Sequence, residues 1–200
     1  MGSARRLEQM ICAALWLPMA VVCAIEPDRA ERIVRLEAER QPGDDIRFDY
    51  RGSHVVAGDL DGDGHDEIVF LLRATCIGST SDCTNDLSVL SRIRPADPRF
   101  SEERIGYDLV AVMDPWTRAV YDTGYFGDGR VHIPGEVKRI GIEQGGIVVE
   151  FEGAAGTPIC KSHHADGRPI MREEPCPPDG LHRWTFAWRP QARLLERVKK

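Results

Sequence analysis

Gly58-Asp59-Leu60-Asp61-Gly62-Asp63-Gly64-His65-Asp66-Glu67-Ile68-Val69-Phe70 is the stretch on which the reading of this chain turns. Counted from Asp59 as position 1, carboxylates fall at positions 1, 3 and 5 as Asp59, Asp61 and Asp63. Gly64 follows at position 6, where the backbone must turn back sharply. His65 stands at position 7, where a backbone carbonyl can serve, and Glu67 at position 9 adds another carboxylate, direct or through water. Calcium is a hard cation that takes about 6–8 oxygens, and alternating carboxylates wrapped by a glycine turn supply them. Without a cation, carboxylates crowded this closely repel. The expected ligand set for one Ca2+ is therefore Asp59, Asp61, Asp63, His65 and Glu67. The alternative is a metal-free Asp/Gly turn.

Working outward, both flanks read as strands. His54–Ala57 leads into the loop, and Ile68–Arg73 is an apolar run of strand length leaving it. Position 12 is Phe70 rather than a glutamate, which excludes an EF-hand. The segment from Gly58 to Phe70 resembles the calcium loop of FG-GAP and VCBS repeats, the blade modules of integrin-type propellers. That resemblance implies a calcium loop between two strands. The family usually has aspartate where Glu67 stands. Such repeats occur in arrays that close a propeller, whereas this chain carries one loop. A propeller needs at least four four-stranded blades, and the sequence yields about eight to ten strands by its alternation and turn signals. A closed propeller is not expected. The layout is also similar to small exported bacterial proteins of unassigned function. In that comparison Gly127-Asp128-Gly129-Arg130-Val131 is a turn before a late hairpin.

Further strands are expected at Ile46–Arg51, Tyr107–Met113 and Ala119–Tyr125, with a turn at Asp114-Pro115-Trp116. Val137–Ile142 and Ile147–Phe151 flank Glu143–Gly146 as a hairpin. Leu181–Trp188 and Ala192–Val198 form a closing hairpin, with Trp184, Phe186 and Trp188 on one face by the period of two. These aromatics are expected to pack in the core. A helix is expected over Glu26–Arg40: Pro27 suits a first turn, and Ala30, Ile33, Val34 and Leu36 make one apolar side. Gln41-Pro42-Gly43 ends it. Ser91–Glu103 and the Pro/Gly-rich excursion Gly153–Asp179 read as loops. The expected fold is mainly β (α+β): an N-terminal helix followed by a compact antiparallel β domain.

The chain has 200 residues and a net charge of −6. No basic patch stands out, so nucleic acid is not expected as a partner. Residues 1–24 read as a signal peptide. Arg5 and Arg6 open it, and the apolar run Met10–Ala24 falls short of the roughly 20 residues that span a bilayer. Val22-Cys23-Ala24 offers a small-residue exit with the mature start near Ile25. Lipidation of Cys23, a twin-arginine signal at Arg5-Arg6 and a short buried helix are the alternatives. Residues 25–200 then form one β-rich domain without a transmembrane segment. Arginine far outnumbers lysine and Asn85 is the only asparagine, which suits a GC-rich bacterial genome and a periplasmic or secreted protein.

Cys12 and Cys23 lie in the signal or at its edge, leaving Cys76, Cys83, Cys160 and Cys176. In an exported chain these imply two disulfides. Three pairings exist; Cys76–Cys83 and Cys160–Cys176 are favoured because each closes a short loop rich in turn formers. Zinc held by Cys160, His163, His164 and Cys176 is a rival, although the spacing lacks a matching second half. His163, His164 and Asp166 otherwise read as exposed loop residues. Ser53, His54 and Asp61 form no triad order, and neither a nucleophile elbow nor a phosphate-binding glycine loop occurs.

These readings converge on an exported, calcium-binding, non-enzymatic domain with a protein or glycan partner. Two alternatives stay open. One is a periplasmic inhibitor or immunity-type protein that blocks a hydrolase with the disulfide-bounded loop 153–179. The other is a hydrolase that uses calcium for structure.

Overall fold

The computed structural model describes residues 24–40, 46–76, 82–92, 124–160 and 176–199. Its elements are α1 (Pro27–Arg40), β1 (Ile46–Asp49), β2 (Val55–Gly58), β3 (Glu67–Cys76), β4 (Asp82–Arg92), β5 (Tyr125–His132), β6 (Gly135–Glu143), β7 (Gly146–Gly153), β8 (Gly180–Arg189) and β9 (Leu194–Val198). Single 3-10 turns occupy Gly52–His54 and Pro158–Cys160. The fold is mainly β and its two sheets are antiparallel throughout.

The first sheet runs β1-β3-β4-β5, and β2 also pairs with β3. Two short strands share one edge because β1 covers the second half of β3 and β2 the first half. The second sheet is the meander β6-β7-β8-β9. Gln144 and Gly145, at φ 52 and 73, make the two-residue turn that joins β6 to β7. A positive φ at both central residues matches the right-handed twist of the flanking strands.

Three layers result. Val69, Leu71, Leu87 and Val89 from the first sheet meet Ile140, Val149, Phe151, Phe186 and Trp188 from the second in one buried cluster. On its other face, β3 turns Ile68, Phe70 and Leu72 toward Ala30, Ile33, Val34 and Ala38 of α1. The run from Ile68 to Leu72 is continuous because β3 is buried on both sides, as central strands are. Each fully buried large side chain of this kind contributes roughly 1.5–3 kcal/mol.

The helix begins after Glu26, whose carbonyl accepts the N–H of Arg29 and of Ala30 at 2.9 and 3.0 Å. Pro27, which has no N–H, occupies the first helical position, where the missing donor costs nothing.

Two expectations are corrected. Gly127–Val131 is no turn: it lies within β5, pairing Gly127 with Leu90 and Val131 with Leu87. Gly129 reflects close packing, since a Cβ on it would lie 2.5 Å from Trp188 Cζ3. Secondly, β4 occupies a stretch with no expected strand, and Ser91 and Arg92 belong to it rather than to a loop. Its alternation is hidden because both of its faces are buried, so Val89 and Leu90 are apolar side by side. Leu87 and Val89 face the inter-sheet core and Leu90, by the ordinary period of two, faces the helix side. Outside the described residues lie 1–23, the expected strand Tyr107–Met113, the turn at Asp114-Pro115-Trp116 and nearly all of Ala119–Tyr125. So do the rest of the Ser91–Glu103 loop and His163, His164 and Asp166.

Candidate metal centre

The acidic loop connects β2 to β3, which pair directly, with Gly58 opposite Glu67. The antiparallel pair thus fixes both ends of the loop. Gly62 and Gly64 take φ values of 78° and 84°, a region open to glycine at no steric cost. These two residues let the chain coil around its own carboxylates.

The coil is held by Asp59. Its Oδ1 accepts the N–H of Gly62 at 2.7 Å and of Asp63 at 3.2 Å, and its Oδ2 accepts that of Gly64 at 3.0 Å. Desolvation opposes ionisation of Asp59, but the backbone bonds from Gly64, Gly62, Asp63 and Asp61 outweigh it and hold the pKa below the usual value. Asp61 Oδ1 accepts from Asp63 N at 3.1 Å, and Asp63 Oδ1 from His65 N at 2.9 Å.

Glu67, the first residue of β3, is 2% exposed. Its Oε2 accepts the N–H of Leu60 at 2.9 Å, closing the loop across its neck. Burial, reinforced by the charges of Asp61, Asp63 and Asp59, pushes its pKa up to about 7 despite that bond. Carboxylate oxygens of Asp59, Asp61 and Glu67 lie within 4.8 Å of one another. Three of the five expected ligands therefore converge. Asp63 falls outside that trio, and the His65 ring accepts a 2.7 Å hydrogen bond at Nδ1 from Arg92.

A scan of protein-family models, a search of curated proteins and a search of solved structures gave no match to this chain.

Asp66, to which the sequence reading assigned no role, supports the loop from beneath. It is 6% exposed; its Oδ2 accepts the backbone N–H of Ile25 at 2.9 Å, and its carbonyl accepts the Tyr125 hydroxyl at 3.2 Å. Its position immediately before an apolar strand was the available signal, because a charged residue there must be buried with partners.

Elsewhere, Cys160 and Cys176 are joined by a disulfide with a Cα–Cα distance of 5.8 Å. Sulfurs bonded to each other are not available as zinc thiolates. The base of the 153–179 excursion is tied down further: Ala155 N donates to Asp179 Oδ1 at 2.9 Å, and His132 Nε2 lies 2.7 Å from the Ile159 carbonyl. For the other pair, the backbone register sets Thr75 opposite Asp82 at the end of the β3–β4 hairpin; the side chains of Cys76 and Cys83 lie outside the described residues. His54 sits in the first 3-10 turn at 5% exposure, with burial pushing its pKa down, seconded by the charge of Arg51.

Proposed function

We propose that this protein is an exported, non-enzymatic calcium-binding domain whose loop geometry is set by one Ca2+ between β2 and β3. The observation that carries this reading is the convergence of Asp59, Asp61 and Glu67 within 4.8 Å. The donor set fits the ion: it is all oxygen, as a hard cation requires, and it sits on a glycine-turned loop. Glu67 adds a buried carboxylate that its acidic neighbours disfavour, and a divalent cation would relieve that repulsion. Asp59, Asp61 and Glu67 would hold the ion, with Asp63 and the His65 carbonyl completing the set. The resemblance of Gly58–Phe70 to FG-GAP/VCBS loops supports the same ion. A protein or glycan partner is the role such a stabilised loop would serve.

A second reading, the inhibitor or immunity-type protein, is favoured by a separate observation. The disulfide, the Ala155–Asp179 bond and the His132–Ile159 bond fix the base of the 153–179 excursion, as presenting a loop to a partner requires.

The test is thermal melting of metal-free protein titrated with calcium. At about 100-fold excess over Kd, binding to the folded state contributes roughly 2.7 kcal/mol. For this chain length that is a rise of roughly 5–10 °C. Asp61→Ala should lose most of the rise, yet be no less stable than wild type in chelator. Magnesium should compete poorly, because it demands a smaller octahedral cage. A melting temperature indifferent to calcium and to chelator refutes the reading.

A further inference from the structure

The nitrogen of Ile25 lies 2.9 Å from Asp66 Oδ2, a contact that spans 41 positions of sequence. Ala24, the preceding residue, is exposed, and residues 24–26 have no regular secondary structure. The Ile25 side chain packs against the cluster between α1 and β3. The nitrogen is thus anchored on one side while the peptide bond before it lies at the surface. Asp66 is 6% exposed and is itself pinned by the Tyr125 hydroxyl on its carbonyl.

We infer that hydrolysis of the Ala24–Ile25 bond by an export peptidase installs a salt bridge between the new α-ammonium group of Ile25 and the carboxylate of Asp66. The inference rests on the reading of residues 1–24 as an export signal ending in Val22-Cys23-Ala24. Water adds across the amide and the C–N bond breaks. Ala24 leaves as a carboxylate, and the Ile25 nitrogen takes up protons to become an ammonium at neutral pH. In the intact chain the donor to Asp66 is a neutral amide. After cleavage the same atom, in the same place, carries a full positive charge. The bond to the Asp66 carboxylate is charge-assisted in either form; after cleavage the direct attraction of two opposite charges in contact is added to it.

One effect opposes this. The ammonium lies two residues before Pro27, near the helix N-terminus, where the macrodipole disfavours a cation. Asp28 in the first turn counters it. Asp66 is nearer still, in direct contact, so the pair dominates. Cleavage position is critical, because one residue of extended chain spans about 3.3–3.6 Å. A start at Ala24 or at Glu26 moves the ammonium out of reach.

The experiment compares three forms in chelator, so that calcium plays no part: a chain starting at Ile25, one starting at Ala24, and the Ile25 form acetylated on its α-amine. Each is made with Asp66 and with Asp66→Asn. The Ile25 form should melt about 3–8 °C above the other two, and Asp66→Asn should abolish the difference. Amine acylation gives a second readout that does not depend on the variant folding well: the Ile25 amine should react at least 10-fold more slowly than the Ala24 amine. Equal melting and equal reactivity, or a difference that survives in Asp66→Asn, overturns the salt bridge. Intact mass of the protein exported from the full-length chain tests processing separately, and a start other than Ile25 overturns the maturation step. A flat calcium titration would refute the metal reading while leaving these outcomes unaffected.

Discussion

The side-chain amide of Asn85 donates a 2.6 Å hydrogen bond to the carbonyl of Gly135. Asn85 lies on β4 of the first sheet and Gly135 opens β6 of the second, so this bond ties the two sheets where the chain crosses between them. The Asn85 carbonyl accepts the N–H of Ile133 at 2.7 Å, so one residue holds both sides of the crossover. Asn85→Ala removes the donor and leaves a buried carbonyl unpaired, at a cost of about 1–3 kcal/mol. Asn85→Asp should cost more, because it sets a carboxylate against that carbonyl. Urea unfolding checks both, read as a lower midpoint at unchanged slope.

Gly129 of β5 gives way to Trp188 of β8. A Cβ there would lie 2.5 Å from the indole ring, and Trp188 at 5% exposure has little room to move. Gly129→Ala should therefore destabilise by about 1–3 kcal/mol through overpacking. Trp188→Leu in the same chain should recover part of that loss, although each change alone is destabilising. A double-mutant cycle in thermal melting shows the coupling.

Glu67 makes the calcium-free protein sensitive to pH in a particular direction. Its pKa stands at about 7 when folded against 4.5 as the ordinary value. The folded state therefore keeps a proton that the unfolded chain has already released. Stability from this group is fully present below about 4.5 and is lost as pH rises through about 7, by on the order of 3 kcal/mol. Glu67→Gln carries no such proton. The wild-type minus variant difference in unfolding free energy, measured in chelator, should fall across that window and level off above it. With saturating calcium, wild type should regain the advantage at pH 8 and the variant should not.

The Cys160–Cys176 disulfide closes a loop with a sequence separation of 16. In the chain-entropy account, opening it costs about 3 kcal/mol. The Cys160→Ser/Cys176→Ser double variant should show that loss in a melting scan. It should also be cut sooner by protease between residues 161 and 175, checked by peptide mass.

The parts of this architecture that announce themselves in sequence are those governed by local rules. Gln144-Gly145 between two alternating runs gives the β6–β7 turn, and Trp184, Phe186 and Trp188 alternate through β8. The acidic loop is legible in part: Asp59 and Asp61 meet Glu67, while Asp63 stands outside that group. What stays hidden depends on partners distant in sequence. Gly129 resembles a turn residue until Trp188 is placed over it. Asn85, the only asparagine, gives no sign that its amide will meet a carbonyl 50 positions away. The alternation of β4 is masked at Leu90, which is apolar because its face of the sheet packs in the cluster with α1.

The order of the sheets along the chain has a consequence for synthesis. Among the described residues, the strands up to His132 build one sheet, and those from Gly135 build the other. The nascent chain leaves the ribosome N-terminus first. The first sheet can therefore dress its outer face with α1 at once. Its inner face, with Val69, Leu71, Leu87 and Val89, must wait for the meander to be made. At about 5–20 residues per second, that wait is on the order of several seconds. In that interval the chain presents a continuous aliphatic surface, a ready substrate for a holding chaperone and a hazard in any truncated translation product.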